Sequence, residues 1–301
     1  MSKKIRIAIL GYGNVGKHAV AAVQAAPDME LVGIVESNLA QVSSQDEVRQ
    51  YNMVETIDEL AGVDVALLCI YTHAVPEVAA TLLARGINTV DGYDIHGQLA
   101  DLRLKLNEIA ISNNSVAVVS AGWDPGSDSM IRGIFEFMAP RGITHTDFGP
   151  GMSMGHTVVA KAIPGVVNAL AITIPVGTGI HRRMVYVQLK PGTDYNQVAN
   201  AIKNDPYFVN DETIVSQVSD VDKLLDMGHG VNIERKGVSG TTHNQLLNYS
   251  MKINNPALTS QILVAAARAS MKQKPGAYTM IQIPIIDFIY GDPEEIIRNL
   301  V

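Results

Sequence analysis

The stretch "KIRIAILGYGNVGKHAVAAVQAAP" runs from a short β-branched apolar segment, through three glycines, straight into an amphipathic segment. Gly11, Gly13 and Gly16 match G-x-G-x-x-G, and the setting gives each glycine a task. Gly11 permits the tight turn, Gly13 lets the backbone approach a pyrophosphate, and Gly16 allows a helix to pack closely on the strand, with helix amides aimed at the phosphates. Tyr12, Asn14 and Val15 complete this turn as candidate dinucleotide contacts. A glycine turn with a purely structural task is the plainer alternative.

The same alternation continues. "IRIAIL", "ELVGIV", "VDVALLCIY", "INTVDG" and "VAVVSAG" read as strands, with helices expected over 17–26, over 75–86 after the Pro76 start signal, and over 97–112. Strands alternating with helices predict an α/β, Rossmann-type, doubly wound parallel sheet. After "AGWDPG" the character changes. Glycine and proline punctuate "FGPGMSMGHTVVAKAIPG", and alternating strands follow in "ALAITIP" and "HRRMVYVQLKP", which predicts a second, α+β domain with an antiparallel sheet. The expected division is 1–120 plus about 255–301 for dinucleotide binding, with 121–254 for substrate binding and dimerisation. The helix signal in "PALTSQILVAAARASMKQ" is expected to return the chain to the first domain.

Composition narrows the partners. A length of 301 residues suits two domains, and a net charge of -7 without a basic stripe argues against nucleic acid. No apolar run is long enough for a membrane span, and the apolar run after the two N-terminal lysines ends at once in the glycine turn, so no signal peptide is read. Cys69 is the only cysteine, which excludes an intrachain disulfide. It reads as a small buried hydrophobe in "VALLCIY", and the expected location is cytoplasmic. No His/Cys cluster has metal spacing, so no metal is expected, and no G-x-S-x-G turn points to serine hydrolysis.

Glu36 stands 20 positions after Gly16, at the end of the second strand, where an acid accepts hydrogen bonds from the adenosine ribose. Its carboxylate would repel a 2'-phosphate, and the following Ser37 and Asn38 bring no positive charge. The physics favours NAD(H) over NADP(H), with Glu36 and Ser37 as ribose-side candidates. Two alternatives stay open: Glu36 as a solvated strand end, or turned outward while Ser37 and Lys17 serve a phosphate.

The segments "GYDIHG", "SAGWDPG", "FGPGMSMGH", "KAIPG", "GHGV", "ERKGVSG" and "INNPALT", in this order behind the glycine turn, resemble the meso-diaminopimelate dehydrogenase family over essentially the whole chain. The resemblance implies a homodimeric, NAD(P)-dependent amino-acid dehydrogenase. It would reversibly deaminate the D-configured centre of meso-2,6-diaminopimelate to L-2-amino-6-oxopimelate and ammonia. Family members generally use NADP and carry arginines just after the second strand, where this chain has Glu36, Ser37 and Asn38.

Asp94 and Asp124 each follow a strand of the first domain and are expected near the carboxyl edge of the sheet, where open α/β folds bind ligands. The resemblance gives them the amine of the reacting centre and catalysis, with Trp123 as the wall beside them; turn or capping roles are the alternative. It also implies that Phe148, Met154 and Gly155 line the substrate pocket, and that Thr173, Arg183, His229 and Asn255 hold the distal, L-configured end. Arg183 has its own chemical argument, because a guanidinium can grip a carboxylate through two parallel hydrogen bonds. Thr173 and Asn255 also read as a strand-face hydroxyl and a helix cap, and His229 as structural. Rival functions are a dehydrogenase of another diamine, such as 2,4-diaminopentanoate, or of D-amino acids, and a dinucleotide-binding regulator without turnover.

Overall fold

The computed structural model describes residues 3–39, 50–225 and 228–301. Seven strands form one parallel sheet: β1 (Ile5–Leu10), β2 (Met29–Val35), β3 (Met53–Val54), β4 (Val65–Leu68), β5 (Asn88–Asp91), β6 (Val116–Val118) and β14 (Gly276–Tyr278), in the order β14-β6-β5-β4-β1-β2-β3. Parallel neighbours need crossovers, and helices supply them: α1 (Asn14–Ala25), α2 (Val75–Leu83) and α3 (Leu99–Ser112). Ile7, Ile9, Ile34 and Leu67 are fully buried, which explains why these strands read as continuous apolar runs rather than alternating ones. Each such side chain contributes roughly 1.5–3 kcal/mol. The strand order reverses at β1, whose neighbours are β2 and β4, so the glycine turn leaves the sheet at its topological switch point.

The chain divides into two compact units, Met1–Gly133 with Pro256–Val301, and Ile134–Asn255. The first unit continues past residue 120, where the composition changes. The backbone there is tied to the sheet: the amides of Ser120 and Ala121 donate to Asp91, at Oδ1 and at the carbonyl oxygen. The long helix α7 (Asn255–Ser270) lies, from Pro256 onward, with the first unit. Ser260 Oγ donates to Val15 O at 2.8 Å, and Arg268 pairs with Asp28 at 2.6 Å. Strand β14 follows α7 and extends the sheet beside β6; its three residues carry no sequence signal of their own.

The second unit holds two sheets. One has the order β11-β10-β9-β8, built from β8 (Gly151–Met152), β9 (Val166–Gly177), β10 (Ile180–Leu189) and β11 (Glu212–Gln217). The other has the order β13-β12-β7, from β7 (Arg141–Phe148), β12 (Gly228–Ser239) and β13 (Thr242–Asn254). The expectation of an antiparallel sheet needs one correction: β10 and β11 are parallel. Helix α6 (Tyr195–Lys203) lies between them in the chain and returns it in the same direction, as a parallel pair requires. Among the described residues, no helix is long and apolar enough to cross a membrane.

Candidate active site

The glycine turn is shaped by what a side chain would strike. A Cβ on Gly16 would lie 2.0 Å from Gly11 O, and one on Gly11, at φ +91°, would lie 2.4 Å from Cys69 O. Both positions therefore exclude any other residue. A Cβ on Gly13 would meet no protein atom within 4 Å, so here the backbone itself faces open space. Helix α1 starts immediately at Asn14, with no side-chain cap and no acidic residue in its first turn. Its first amides point at whatever occupies that space, and the missing acids leave their partial positive charge uncompensated. Asn14 is exposed and Val15 half-buried beside it. The cradle fits a pyrophosphate.

Glu36 closes the other side of the turn. Its Oε2 accepts from the Tyr12 amide at 2.9 Å, and its Oε1 accepts from Asn38 N at 3.2 Å. The carboxylate is turned inward onto the glycine turn, while Ser37 is exposed. Lys17 Nζ sits 5.5 Å from the Tyr12 ring centroid. Cys69, just after β4, is half-buried rather than fully buried as a core hydrophobe, and burial of its thiol pushes the pKa up to about 12, which keeps it protonated.

The loops after β5 and β6 carry Asp94 and Asp124, and Asp91 joins them. Its Oδ1 accepts from the amides of Tyr93 and Ser120, both at 3.0 Å, while Ser120 Oγ donates to Tyr93 O at 2.6 Å. Asp91 is fully buried; desolvation pushes its carboxyl up to about 6 against the pull of those two amides. Asp94 is half-buried, and its Oδ1 is a buried oxygen with no hydrogen-bond partner. Such an acceptor fits a cationic donor supplied from outside the chain. The Asp124 side chain is 10% exposed and accepts from Arg132 Nη1 at 2.9 Å. Trp123 is buried next to it and places its carbonyl on the Asp128 amide at 2.9 Å. Asp128 and Arg132 both lie on α4 (Ser127–Met138). Arg132 stands eight residues beyond Asp124 and four beyond Asp128, a helical spacing present in the sequence that the reading of loops passed over.

In the second unit, one glycine loop gathers most of the remaining candidates. Gly149 N donates to Gly230 O at 2.6 Å, and a Cβ on Gly149 would strike Thr173 O at 2.3 Å. A Cβ on Gly151 would lie 2.2 Å from Gly228 O and 2.6 Å from the His229 Cα. The loop is thus clamped between β9 and β12. Phe148, the last residue of β7, donates its amide to His181 Nε2 at 2.8 Å, with the two rings 5.5 Å apart. Burial, and then Arg183, lower the His181 pKa, which favours the neutral imidazole that accepts this bond. Met154 and Gly155 open helix α5 (Met154–Ala162). His156 follows them, held between Ser153 Oγ at 2.7 Å and Tyr207 O at 2.8 Å. Burial lowers its pKa to about 4, so it too is neutral.

Thr173 and Arg183 face each other in the register of β9 and β10. Arg183 Nη1 donates to Thr173 Oγ1, and Arg183 Nε donates to Asp211 Oδ2 at 2.7 Å. With Nε engaged, a parallel grip on an external carboxylate has to use the two terminal nitrogens. Asp211 precedes β11 and meets Arg183 through the parallel register of β10 and β11, which nothing local in the sequence announces. His229 is buried; its Nδ1 donates to Gly230 O at 2.8 Å, since a carbonyl can only accept. Asn255 is buried at the start of α7. Among the described residues, no three His, Cys, Asp or Glu side chains stand together as a metal site.

Residues 5–91 match the family described as "Oxidoreductase family, NAD-binding Rossmann fold", and residues 122–181 match "Diaminopimelic acid dehydrogenase C-terminal domain". The chain is therefore built to bind a nicotinamide dinucleotide. The structure of a Corynebacterium glutamicum diaminopimelate dehydrogenase in complex with DAP superposes with a TM-score of 0.90 at 29% identity, covering 99% of this chain and 100% of that one. A meso-diaminopimelate D-dehydrogenase of Ureibacillus thermosphaericus is 33% identical over 99% of each chain. That of Bacteroides fragilis is 58% identical, over 99% of this chain and the whole of the relative. The chain belongs to the meso-diaminopimelate D-dehydrogenase family.

Proposed function

We propose that the chain catalyses the reversible oxidative deamination of meso-2,6-diaminopimelate at its D-configured centre, giving L-2-amino-6-oxopimelate and ammonia. One observation carries the assignment of the reacting nitrogen: Asp91 fastens together the two loops that bear Asp94, with its unpartnered buried oxygen, and Asp124. Two carboxylates so placed suit an ammonium group and the positive charge that builds on nitrogen during oxidation. A carboxylic acid, ordinarily near pKa 3.9, is a far stronger acid than an alkyl ammonium near about 10.4. The role of the pair is therefore to orient the nitrogen and stabilise its charge; the ammonium proton is lost to solvent, and deamination rises toward alkaline pH.

Gly11 to Gly16 and Glu36 would hold the dinucleotide, whose nicotinamide supplies the two-electron acceptor for the α-carbon. The inward Glu36 carboxylate supports NAD(H) over NADP(H), since a 2'-phosphate there would face a fixed negative charge. Trp123, Phe148, Met154 and Gly155 serve as the substrate's walls. For the distal end, Arg183, held by Asp211, presents terminal guanidinium nitrogens to the carboxylate. Thr173, His229 and Asn255 offer the further polar contacts. Ile143 and Leu246 are both mostly exposed on the β13-β12-β7 sheet, where they flank Lys236 in register, and they support a homodimer. The single cysteine is in keeping with a cytoplasmic enzyme.

The test is turnover of the meso, LL and DD isomers of diaminopimelate with NAD and with NADP at equal concentration. Reduced cofactor should form from the meso isomer, which pairs a D centre with an L-configured distal end, and not from LL, with NAD the better acceptor. Equal rates on all three isomers, or turnover of simple diamines alone, would overturn the reading.

A further inference from the structure

Asp128 is fully buried in the first turn of α4, and neither of its carboxyl oxygens has a hydrogen-bond partner. Arg132 Nη2 lies 4.0 Å from Oδ2, beyond hydrogen-bond reach. Arg132 instead bonds Asp124 Oδ1 through Nη1 at 2.9 Å. Three groups, two acids and one guanidinium, thus share one corner, with the Asp128 amide tied back to Trp123 O. An ionised carboxylate without hydrogen bonds is costly in such a place, whereas a neutral carboxyl is tolerated.

We propose that Asp128 is a positioning residue for the reaction: a proton-bearing carboxyl that decides how far Arg132 neutralises Asp124, and so the net charge this corner presents to the cationic substrate nitrogen. The assignment rests on the reading that Asp124 meets that nitrogen. With Asp128 protonated, Arg132 and Asp124 form a neutral pair. When the proton leaves to solvent, Arg132 lies between two carboxylates, and the corner carries one net negative charge beside the nitrogen. The charged groups that act on Asp128 are Asp124 and Arg132. Burial first, and then Asp124, push its carboxyl up to about 7, while Arg132 pulls it down, so the change falls within the working range of a cytoplasmic enzyme.

Asp128→Asn keeps the side chain's size and removes its proton equilibrium. Steady-state kinetics on meso-diaminopimelate should give a KM ratio, variant over wild type, close to one near about pH 6 that rises roughly threefold to tenfold by about pH 8.5, with the kcat ratio flat. In protein labelled with carboxyl-13C aspartate, one side-chain resonance of the wild type should titrate near neutrality and be missing from the variant; this readout needs no turnover. A KM ratio that stays constant with pH in an active enzyme, or the absence of a carboxyl resonance that titrates near neutrality in the wild type and is missing from the variant, overturns this assignment alone. A wild type that turns over no diaminopimelate isomer overturns the functional reading and the assignment with it.

Discussion

The Glu36 carboxylate accepts the Tyr12 amide hydrogen, Oε2 to N at 2.9 Å, and this bond fixes the acid at the end of β2 against the glycine turn that follows β1. On the proposed reading an acid held there opposes a second anion through its charge, whereas a free strand-end acid could swing into solvent. Glu36→Gln preserves an oxygen for the Tyr12 amide while removing the charge. The ratio of KM for NADP to KM for NAD should fall by roughly tenfold in the variant, as expected for loss of one nearby like charge. An unchanged ratio would show that Glu36 does not set the preference.

Gly13 and Gly16 make opposite demands, and substitution separates them. Gly16→Ala places a methyl 2.0 Å from Gly11 O, so the turn must open and both thermal stability and dinucleotide affinity should fall. Gly13→Ala meets no protein atom within 4 Å, so its melting temperature should match the wild type. Its dinucleotide affinity, measured by fluorescence titration, should still drop by about tenfold or more, because the methyl occupies the path of the pyrophosphate. Normal affinity in Gly13→Ala would move the cofactor away from this turn.

Two buried acids make stability depend on pH with a definite sign. Asp91 and Asp128 are held up to about 6 and about 7, against about 3.9 in an unfolded chain. Between these values the folded state binds more protons than the unfolded one, so their contribution is complete below about pH 4 and is lost as pH rises through 6 and 7. Asp91→Asn keeps the acceptor for the Tyr93 and Ser120 amides. Its melting temperature relative to wild type should therefore rise from pH 4 to about 6 and then level, and that of Asp128→Asn should rise to about pH 7, by a few degrees for each ~1 kcal/mol. Thermal unfolding of the three proteins across that range checks the sign. A relative gain that shrinks as pH increases would contradict it.

The first unit was legible in the sequence because its signals are local: β-branched runs buried on both faces, three glycines at fixed spacing, and an acid at the strand end. The second unit was legible only in outline. Strand β10 alternates visibly, but its parallel pairing with β11 depends on where α6 returns the chain, and so does the meeting of Arg183 with Asp211. Asp91 reads as one more strand residue in "INTVDG", and its hold on the Ser120 loop is a contact across 29 positions. Asp128 and Arg132 had a signal in their helical spacing. Their importance came from burial, which composition does not reveal.

Asp94 and Asp124 are proposed to hold the nitrogen that leaves. The direct measurement is kcat for meso-diaminopimelate in Asp94→Asn and Asp124→Asn beside Thr173→Ala, with dinucleotide affinity determined for each protein. Both asparagine variants should lose on the order of 10²-fold or more in kcat with dinucleotide affinity unchanged, while Thr173→Ala should act mainly on KM. Small and equal losses in all three variants would place the reacting nitrogen elsewhere.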